Sequence, residues 1–413
     1  MKLNKITIIH ISIFFIFYIT LIIGFLFNED SAGGATTDYI VHSTLKDFFV
    51  KDTLYGLKNY LDLSDQGGVH SPIFLIFLKY LLFYNETIGR FFFLNLSVLI
   101  PFIFFITLKK KIQKYYFPIF YLSNFFFISP YFRSTAIWPG DENLAILFFI
   151  FSIFFYISFT NSVNNNHRIK SMVCNIFLLA IASYFRPIYA LFSIFFFYEF
   201  VLKDFKLNFF LIYSLLSAAL SFPAFYYIFI LKVTFFYDQA GSFNFINSFA
   251  LTYTALLFYL IPFIFFSIKS FNFFKLNFIY IFLTIVLSII VFIFFNYQSA
   301  TGGGILYMLQ NLFFKGNFVF AIIFAVAFYF SNLLLEINKI KNFILIFILL
   351  FFEPDNQFYM ETFDPLFLIC FFLLFDTKTL NIFFDSDIYK KINYLFIYLF
   401  LFFIIKITNL YLL

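Results

Sequence analysis

Acidic and histidine side chains are concentrated in one polar stretch near the start of the chain, residues 28–87. The groups in it that could do chemistry are Glu29, Asp30, Asp38, His42 and His70. A positioned carboxylate can take the proton from a hydroxyl group while that hydroxyl attacks a carbon atom. We expect Asp38 to be this general base. Asp30 and Glu29 are the rivals, because they lie nearer the preceding apolar segment.

The two histidines of this stretch could support such a base. His42 follows Asp38 by four residues, which is one turn of a helix, so it could orient the carboxylate or an acceptor. An interfacial histidine without a chemical role is the alternative. His70 could contact a phosphate, or it could cap a helix that begins near Pro72.

Two isolated arginines and one acidic pair lie in later polar turns. Arg133 and Arg186 could stabilise the charge that develops on a phosphate leaving group. The alternative is that they extend to lipid head groups. Asp141 and Glu142 could hold an acceptor, or a divalent cation such as Mg²⁺ or Mn²⁺ together with acids of residues 28–87. Carboxylates also favour the start of a helix for electrostatic reasons alone.

The elements that must position these residues are membrane helices. Of the 413 residues, 63% are hydrophobic and 12% are charged, and the mean hydropathy is +0.95. Apolar runs of about 20 residues recur, and each could cross a bilayer as a helix. The sequence predicts an all-α bundle of about 13 spans, at 6–27, 88–108, 115–130, 143–159, 172–185, 188–202, 209–231, 247–268, 276–296, 316–335, 343–352, 366–376 and 393–413.

Basic residues give this bundle an orientation. Lys and Arg cluster in alternate loops, such as KKKIQK at 109–114, and cytoplasmic loops are the ones enriched in Lys and Arg. The N-terminus is therefore predicted in the cytoplasm of a cell with a plasma (inner) membrane, and residues 28–87 on the opposite side. Within this first outside loop, 37–50 predicts an amphipathic surface helix, with Asp38, His42 and Lys46 on its polar side. Residues 71–84 are too short for an ordinary span and predict a second surface or re-entrant helix.

The two cysteines and the distribution of charge argue against several kinds of site and partner. Cys174 and Cys370 both lie in apolar segments, so we expect buried thiols and neither a disulfide nor a metal site. The net charge of +6 comes from short loops between spans, and a nucleic-acid partner would need clustered charge on one folded face. The expected partners are therefore the bilayer and lipid-linked molecules.

The polar motifs follow one another on the predicted outside face. In order, they are Asp38-Tyr39-Ile40-Val41-His42, His70-Ser71-Pro72, Arg90, Ser129-Pro130-Tyr131-Phe132-Arg133, Asp141-Glu142-Asn143 and Arg186-Pro187. This order resembles the GT-C glycosyltransferases, multi-span enzymes that take sugars from polyprenyl-phosphate donors. The resemblance covers about residues 1–200. It differs from the family pattern in Tyr39, which replaces a second acid, and in Ser71, which replaces a proline.

The resemblance implies a single GT-C-like domain over 1–413, with variable helices in 201–413. It also implies inverting transfer of a hexose or pentose from a polyprenyl-phosphate sugar to a glycan or lipid acceptor of the cell envelope. A flippase for lipid-linked saccharides is an alternative, but it predicts repeats and charges at mid-membrane, and the sequence shows no internal repeat. A polysaccharide polymerase is a second alternative, although its large loop usually comes late in the chain.

Overall fold

A computed structural model describes most of the chain. The described residues are 5–50, 52, 53, 55–57, 71–82, 85–226, 244–267, 278–298, 302–313, 316–352, 358–385 and 387–412. All of their regular structure is helical, so the predicted all-α class is confirmed for this part of the chain. His70 lies outside the described residues.

The helices are numbered α1 to α19 along the chain. Their bounds are α1 Lys5–Leu26, α2 Ala35–Leu45, α3 Pro72–Leu81, α4 Glu86–Ser97, α5 Leu99–Ile112, α6 Tyr116–Leu122, α7 Pro130–Ile137, α8 Asp141–Asn161, α9 Asn165–Phe185, α10 Phe192–Phe197, α11 Leu207–Phe225, α12 Phe245–Ser267, α13 Phe278–Phe294, α14 Gly304–Phe313, α15 Asn317–Leu335, α16 Ile340–Leu350, α17 Leu366–Leu373, α18 Lys378–Phe383 and α19 Ile388–Leu412. Short 3-10 segments follow α2, α6 and the end of α9, and a π-helical turn follows α10.

Within the described residues, eight helical segments are long and apolar enough to cross a membrane. They are Ile8–Leu26, Glu86–Ile112, Asp141–Asn161, Asn165–Phe185, Leu207–Phe225, Phe245–Ser267, Asn317–Leu335 and Ile388–Thr408. The chain is therefore a multi-pass membrane protein. Shorter apolar helices occupy other predicted spans, including Tyr116–Ile128 and Phe278–Phe294. The count of about 13 spans goes beyond these eight and stays a prediction.

The chain forms two compact units. The first contains residues 1–237 and 399–413, and the second contains residues 238–398. In the first unit, α8 packs along α9 and also against α5, and α7 contacts α1, α2, α4 and α8. In the second unit, α12 is the central helix and packs against α14, α15, α16 and α18. The single domain predicted over 1–413 stays a prediction.

The two predicted surface helices of the first outside loop are present as α2 and α3. They pack against each other, and Leu45, Phe49 and Leu75 form a small apolar core between them. The prediction that His42 lies on the polar side of α2 is wrong. His42 is only 3% exposed, and its ring lies 5.1 Å from the ring of Phe74. The contact with α3 buries it, and the periodicity of α2 alone could not show which neighbour covers that side.

Other helix boundaries differ from the prediction where polar residues cap or extend a helix. Residues 165–171 were expected in a loop, yet α9 begins at Asn165 because the Asn164 side chain accepts a hydrogen bond from the backbone N–H of Asn166. The span predicted at 115–130 is an α-helix only to Leu122 and continues as a 3-10 segment to Ile128. The first change shortens the loop between α8 and α9, and the second changes only the type of helix.

Candidate functional site

Arg133 and Glu29 form a buried ion pair. Arg133 lies in the short helix α7 and Glu29 just after α1, and their side chains are 4% and 11% exposed. The guanidinium donates Nε to Glu29 Oε1 at 2.7 Å and Nη2 to Glu29 Oε2, which makes the contact bidentate. Nη1 donates to the Phe127 carbonyl at 3.1 Å, and the Thr20 carbonyl accepts from Nη2 at 3.0 Å. The arginine is thus held on every side by protein groups.

The local sequence makes room for this pair. Gly24 lies in α1, and a Cβ atom there would collide with the Glu29 carboxylate and with Nη2 of Arg133. The indole N–H of Trp138 donates to the Glu29 carbonyl at 3.1 Å, which fixes the chain as it leaves α1. Neither Glu29 nor Arg133 could meet a substrate in this arrangement without giving up the other.

Asp30 holds the start of α2. Its carboxylate accepts hydrogen bonds of 3.0 to 3.3 Å from the backbone N–H groups of Gly33, Gly34, Ala35 and Thr36. The first N–H groups of a helix have no partner within the helix, and a carboxylate at this end also interacts favourably with the helix dipole. The position of Asp30 therefore determines how α2 leaves the membrane boundary.

Asp38 lies in the first turn of α2 and retains exposed surface. Surrounding protein displaces part of its hydration and raises the pKa of its carboxyl group to about 6, and the negative charges of Glu142 and Asp30 act in the same direction. The charge of Arg186 opposes this increase. Asp38 is therefore a carboxylate that solvent can reach and that changes protonation near neutral pH, as a general base requires.

A second arginine–glutamate pair lies beside Asp38. Arg186, at the C-terminal end of α9, donates Nη1 to Oε1 of Glu142 at the start of α8, at 2.5 Å. Tyr131 contacts both partners: its hydroxyl accepts a long hydrogen bond of 3.4 Å from Nη1 and also hydrogen-bonds to Glu142. The Arg186 side chain is 27% exposed, so this pair is less enclosed than Arg133 and Glu29.

Backbone geometry brings Glu142 to this position. Gly140 precedes α8, and a Cβ atom there would lie 2.6 Å from Oε2 of Glu142. The neighbouring Asp141 is close enough to hydrogen-bond to Glu142 and to interact with the charges of Arg186 and Asp38. Four ionisable side chains from three distant segments of the sequence therefore converge in the first unit: Asp38, Asp141, Glu142 and Arg186.

The remaining predicted site residues are arranged differently. Glu29 and Arg133 form their own closed pair, Asp30 binds backbone N–H groups, and His42 is packed between α2 and α3. Among the described residues, no three Asp, Glu, His or Cys side chains are arranged to hold a metal ion. The divalent cation suggested from the sequence stays a prediction.

Sequence reasoning missed Tyr131 as a member of this site. The sequence motif Ser129–Arg133 contains Tyr131 but gave it no role of its own. The sequence held one indication of a role for Tyr131, because it stands between the helix-capping Ser129 and Arg133. Nothing in the sequence, however, indicated that its hydroxyl would meet Arg186, which lies 55 positions further along the chain.

Comparison of the chain with protein-family models, with curated proteins and with solved structures finds no match.

Proposed function

We propose that this protein is an inverting membrane glycosyltransferase, which moves a sugar from a polyprenyl-phosphate donor to a glycan or lipid acceptor outside the cytoplasm. The observation that carries the proposal is the convergence of Asp38 with Arg186 and the acidic pair 141–142 at the end of the membrane helices. Such a site offers a base and a cation side by side. The predicted orientation and the sequence resemblance support the same function.

In the proposed reaction, Asp38 removes the proton from the acceptor hydroxyl as its oxygen attacks the anomeric carbon. The bond between that carbon and the lipid-phosphate oxygen breaks, and the phosphate leaves with its electron pair. The Arg186 side chain is less enclosed than that of Arg133, and its positive charge can stabilise the charge of this phosphate. Glu142 and Tyr131 hold Arg186 in place, and Asp141 lies where it could receive an acceptor hydroxyl.

The position of the site relative to lipid also supports a lipid-linked donor. α1 exposes a continuous set of large apolar side chains that includes Phe15, Ile16, Ile19 and Ile23. Exposed apolar side chains on a membrane-spanning helix face the lipid chains. Asp30 and α2 follow directly after α1, so a polyprenyl chain lying along α1 would bring its phosphate towards Asp38 and Arg186.

The test is sugar transfer by the purified protein in lipid vesicles, with a panel of radiolabelled polyprenyl-phosphate sugars and a membrane-lipid extract as acceptor. We expect transfer by the wild type and a loss of about 100-fold to 10,000-fold in Asp38→Asn, the usual contribution of a general base. Asp47→Asn is the matched control, because Asp47 is 66% exposed and pairs only with the neighbouring Lys46 among the described residues. Full activity of a folded Asp38→Asn protein would overturn the assignment of the base.

A flippase would behave differently in the same vesicles. It would move lipid-linked saccharide from one leaflet to the other without forming a new glycosidic bond. Movement without transfer for every donor in the panel would replace the glycosyltransferase proposal with the transport alternative.

A further inference from the structure

Two positively charged side chains lie beside one aromatic ring where α8, α9 and α11 meet. Cζ of Arg168, near the start of α9, lies 5.2 Å from the centre of the Phe209 ring. Nζ of Lys206, the residue before α11, lies 5.4 Å from the same centre. The two charges are therefore neighbours, in a part of the chain (residues 85–226) that the structure describes without a gap.

Aromatic rings of the protein interior hold Arg168 in place. Its Cζ atom lies 4.2 Å from the centre of the Phe159 ring, which packs edge to face against Phe209 with the ring centres 5.6 Å apart. A guanidinium this close to an aromatic ring is attracted to it. The Arg168 side chain makes no hydrogen bond or ion pair with the described residues, and its Nε atom is buried without an acceptor there. The rings therefore fix the positive charge but do not neutralise it.

Lys206 is exposed and has a neutral partner. Its ammonium donates a hydrogen bond of 3.2 Å to Oδ1 of Asn165, at the start of α9. An ammonium group has three N–H donors and no acceptor. The amide oxygen of Asn165 leaves the charge of Lys206 uncompensated, and the other donors can bind a further group.

The acidic residues nearest in sequence do not compensate these two charges. Glu199 accepts a hydrogen bond of 2.6 Å from the Tyr156 hydroxyl, and its carboxylate lies 3.6 Å from Nζ of Lys203. Asp204 is exposed and forms no ion pair with any described residue. Arg168 and Lys206 therefore repel each other without an anion of the described protein between them.

The start of α9 adds to this excess of positive charge. Residues 165–170 contain His167, Arg168 and Lys170, and the first turn has no acidic residue. The beginning of a helix has a partial positive charge, so cations there are unfavourable and anions are favourable. A bound anion would offset both the repulsion between Arg168 and Lys206 and the effect of the helix.

The junction borders a lipid-facing surface. Phe205, Leu207 and Leu211 are 65%, 59% and 45% exposed, and α11 is long and apolar enough to cross a membrane. Exposed apolar side chains on such a helix face lipid chains. A lipid lying along α11 would bring its head group to Lys206. The loops that contain Arg168 and Lys206 are predicted on the cytoplasmic side, where anionic lipids attract basic segments.

We infer that the junction of α8, α9 and α11 binds the phosphate group of an anionic phospholipid, with Arg168 and Lys206 as the residues that contact it. The planar guanidinium can donate two hydrogen bonds to one phosphate, while Lys206 contributes a second charge. This site lies at the opposite end of α8 and α9 from Glu142 and Arg186. It goes beyond the proposed sugar transfer and does not depend on it.

The test is native mass spectrometry of the purified full chain in detergent, titrated with phosphatidylglycerol or with phosphatidylcholine. We expect tighter binding of phosphatidylglycerol, and Arg168→Gln combined with Lys206→Gln should weaken it about tenfold or more, since each cation contributes to attraction of an anionic lipid. Arg168→Lys combined with Lys206→Arg keeps both charges and should retain most of the binding.

The matched control is Lys114→Gln combined with Lys390→Gln, which removes the same charge from two exposed lysines outside this junction. It should change the binding by about twofold or less, because exposed charges are screened by salt. Thermal melting should show that all variants remain folded. Equal binding of the two lipids, or an equal loss in the two glutamine double variants, would overturn the inference.

A soluble phosphate is distinguished in the same experiment. Inorganic phosphate and glycerol 3-phosphate are added in large excess over phosphatidylglycerol. Neither should displace the lipid, because its chains also pack against α11. Displacement by either compound would overturn the assignment to a phospholipid and make the junction a site for soluble phosphates.

Discussion

The described part of the first unit contains two arginine–glutamate pairs with different surroundings. Arg133 and Glu29 are 4% and 11% exposed, and further protein groups saturate the guanidinium. Arg186 and Glu142 are 27% and 14% exposed, and they lie beside Asp38 and Asp141. The same two residue types therefore make a closed structural contact in one place and an accessible charged site in the other. Burial and the number of additional partners distinguish the two.

The largest expected effect comes from breaking the closed pair. Glu29→Gln leaves the Arg133 charge buried without its counter-ion, and loss of one partner of a buried pair costs about 3 to 5 kcal/mol. We expect the free energy of unfolding to fall by that amount, measured by denaturant titration in detergent. Asp47→Asn, at an exposed pair, should change it by about 0.5 kcal/mol or less. Unchanged stability with lost transfer would mean that Glu29 acts in catalysis.

The next effect comes from the accessible pair and should appear in activity. Arg186→Gln removes the cation proposed for the leaving phosphate, and loss of such a group costs about 100-fold to 1,000-fold in rate. Stability should fall by less than in Glu29→Gln, because solvent reaches part of this pair. Arg186→Lys should recover part of the rate, since it keeps the charge but not the planar fork. If Arg186→Gln lost as much stability as Glu29→Gln and kept normal transfer, the Arg186–Glu142 pair would be a structural contact like Arg133–Glu29.

The sequence predicted the helical class and the presence of several membrane-spanning segments, because apolar runs are local features. It could not separate the two arginines, since both Arg133 and Arg186 precede or follow an apolar segment as isolated charges. Their difference depends on contacts with Glu29 and Glu142, which lie 104 and 44 positions away. Likewise, the position of His42 depends on α3 covering α2, and periodicity gives no information about that partner.

The pH dependence of transfer gives a smaller effect and reports on the accessible site. Asp38 has a pKa of about 6 and must be ionised to act as a base, so the rate should fall up to tenfold per pH unit below about 6. Glu142 raises this pKa, so Glu142→Gln should move the acid limb to lower pH, by about one unit or less. A pH–rate profile of each protein measures the shift. Identical pH–rate profiles of the two proteins would mean that the charge of Glu142 does not act on Asp38.

The raised pKa of Asp38 also makes the stability of the folded protein depend on pH. Lower pH reduces the transfer rate but increases stability. The folded protein binds a proton at Asp38 more tightly than an unfolded chain, whose ordinary value is 3.8. Protonation of this group therefore favours the folded state, and its contribution to stability should increase as the pH falls from about 6 towards 4. Asp38→Asn should remove this part of the pH dependence, which unfolding titrations at several pH values would measure.

The smallest expected effect distinguishes Asp30 from Asp38. Asp30 accepts hydrogen bonds from four backbone N–H groups at the start of α2 through both carboxylate oxygens, and asparagine keeps one of these two acceptors. Asp30→Asn should therefore leave transfer within about twofold of the wild type, whereas Asp30→Ala should cost about 1 kcal/mol of stability. Asparagine cannot accept a proton as a base does. A severe loss of transfer in a stable Asp30→Asn protein would therefore move the base from Asp38 to Asp30.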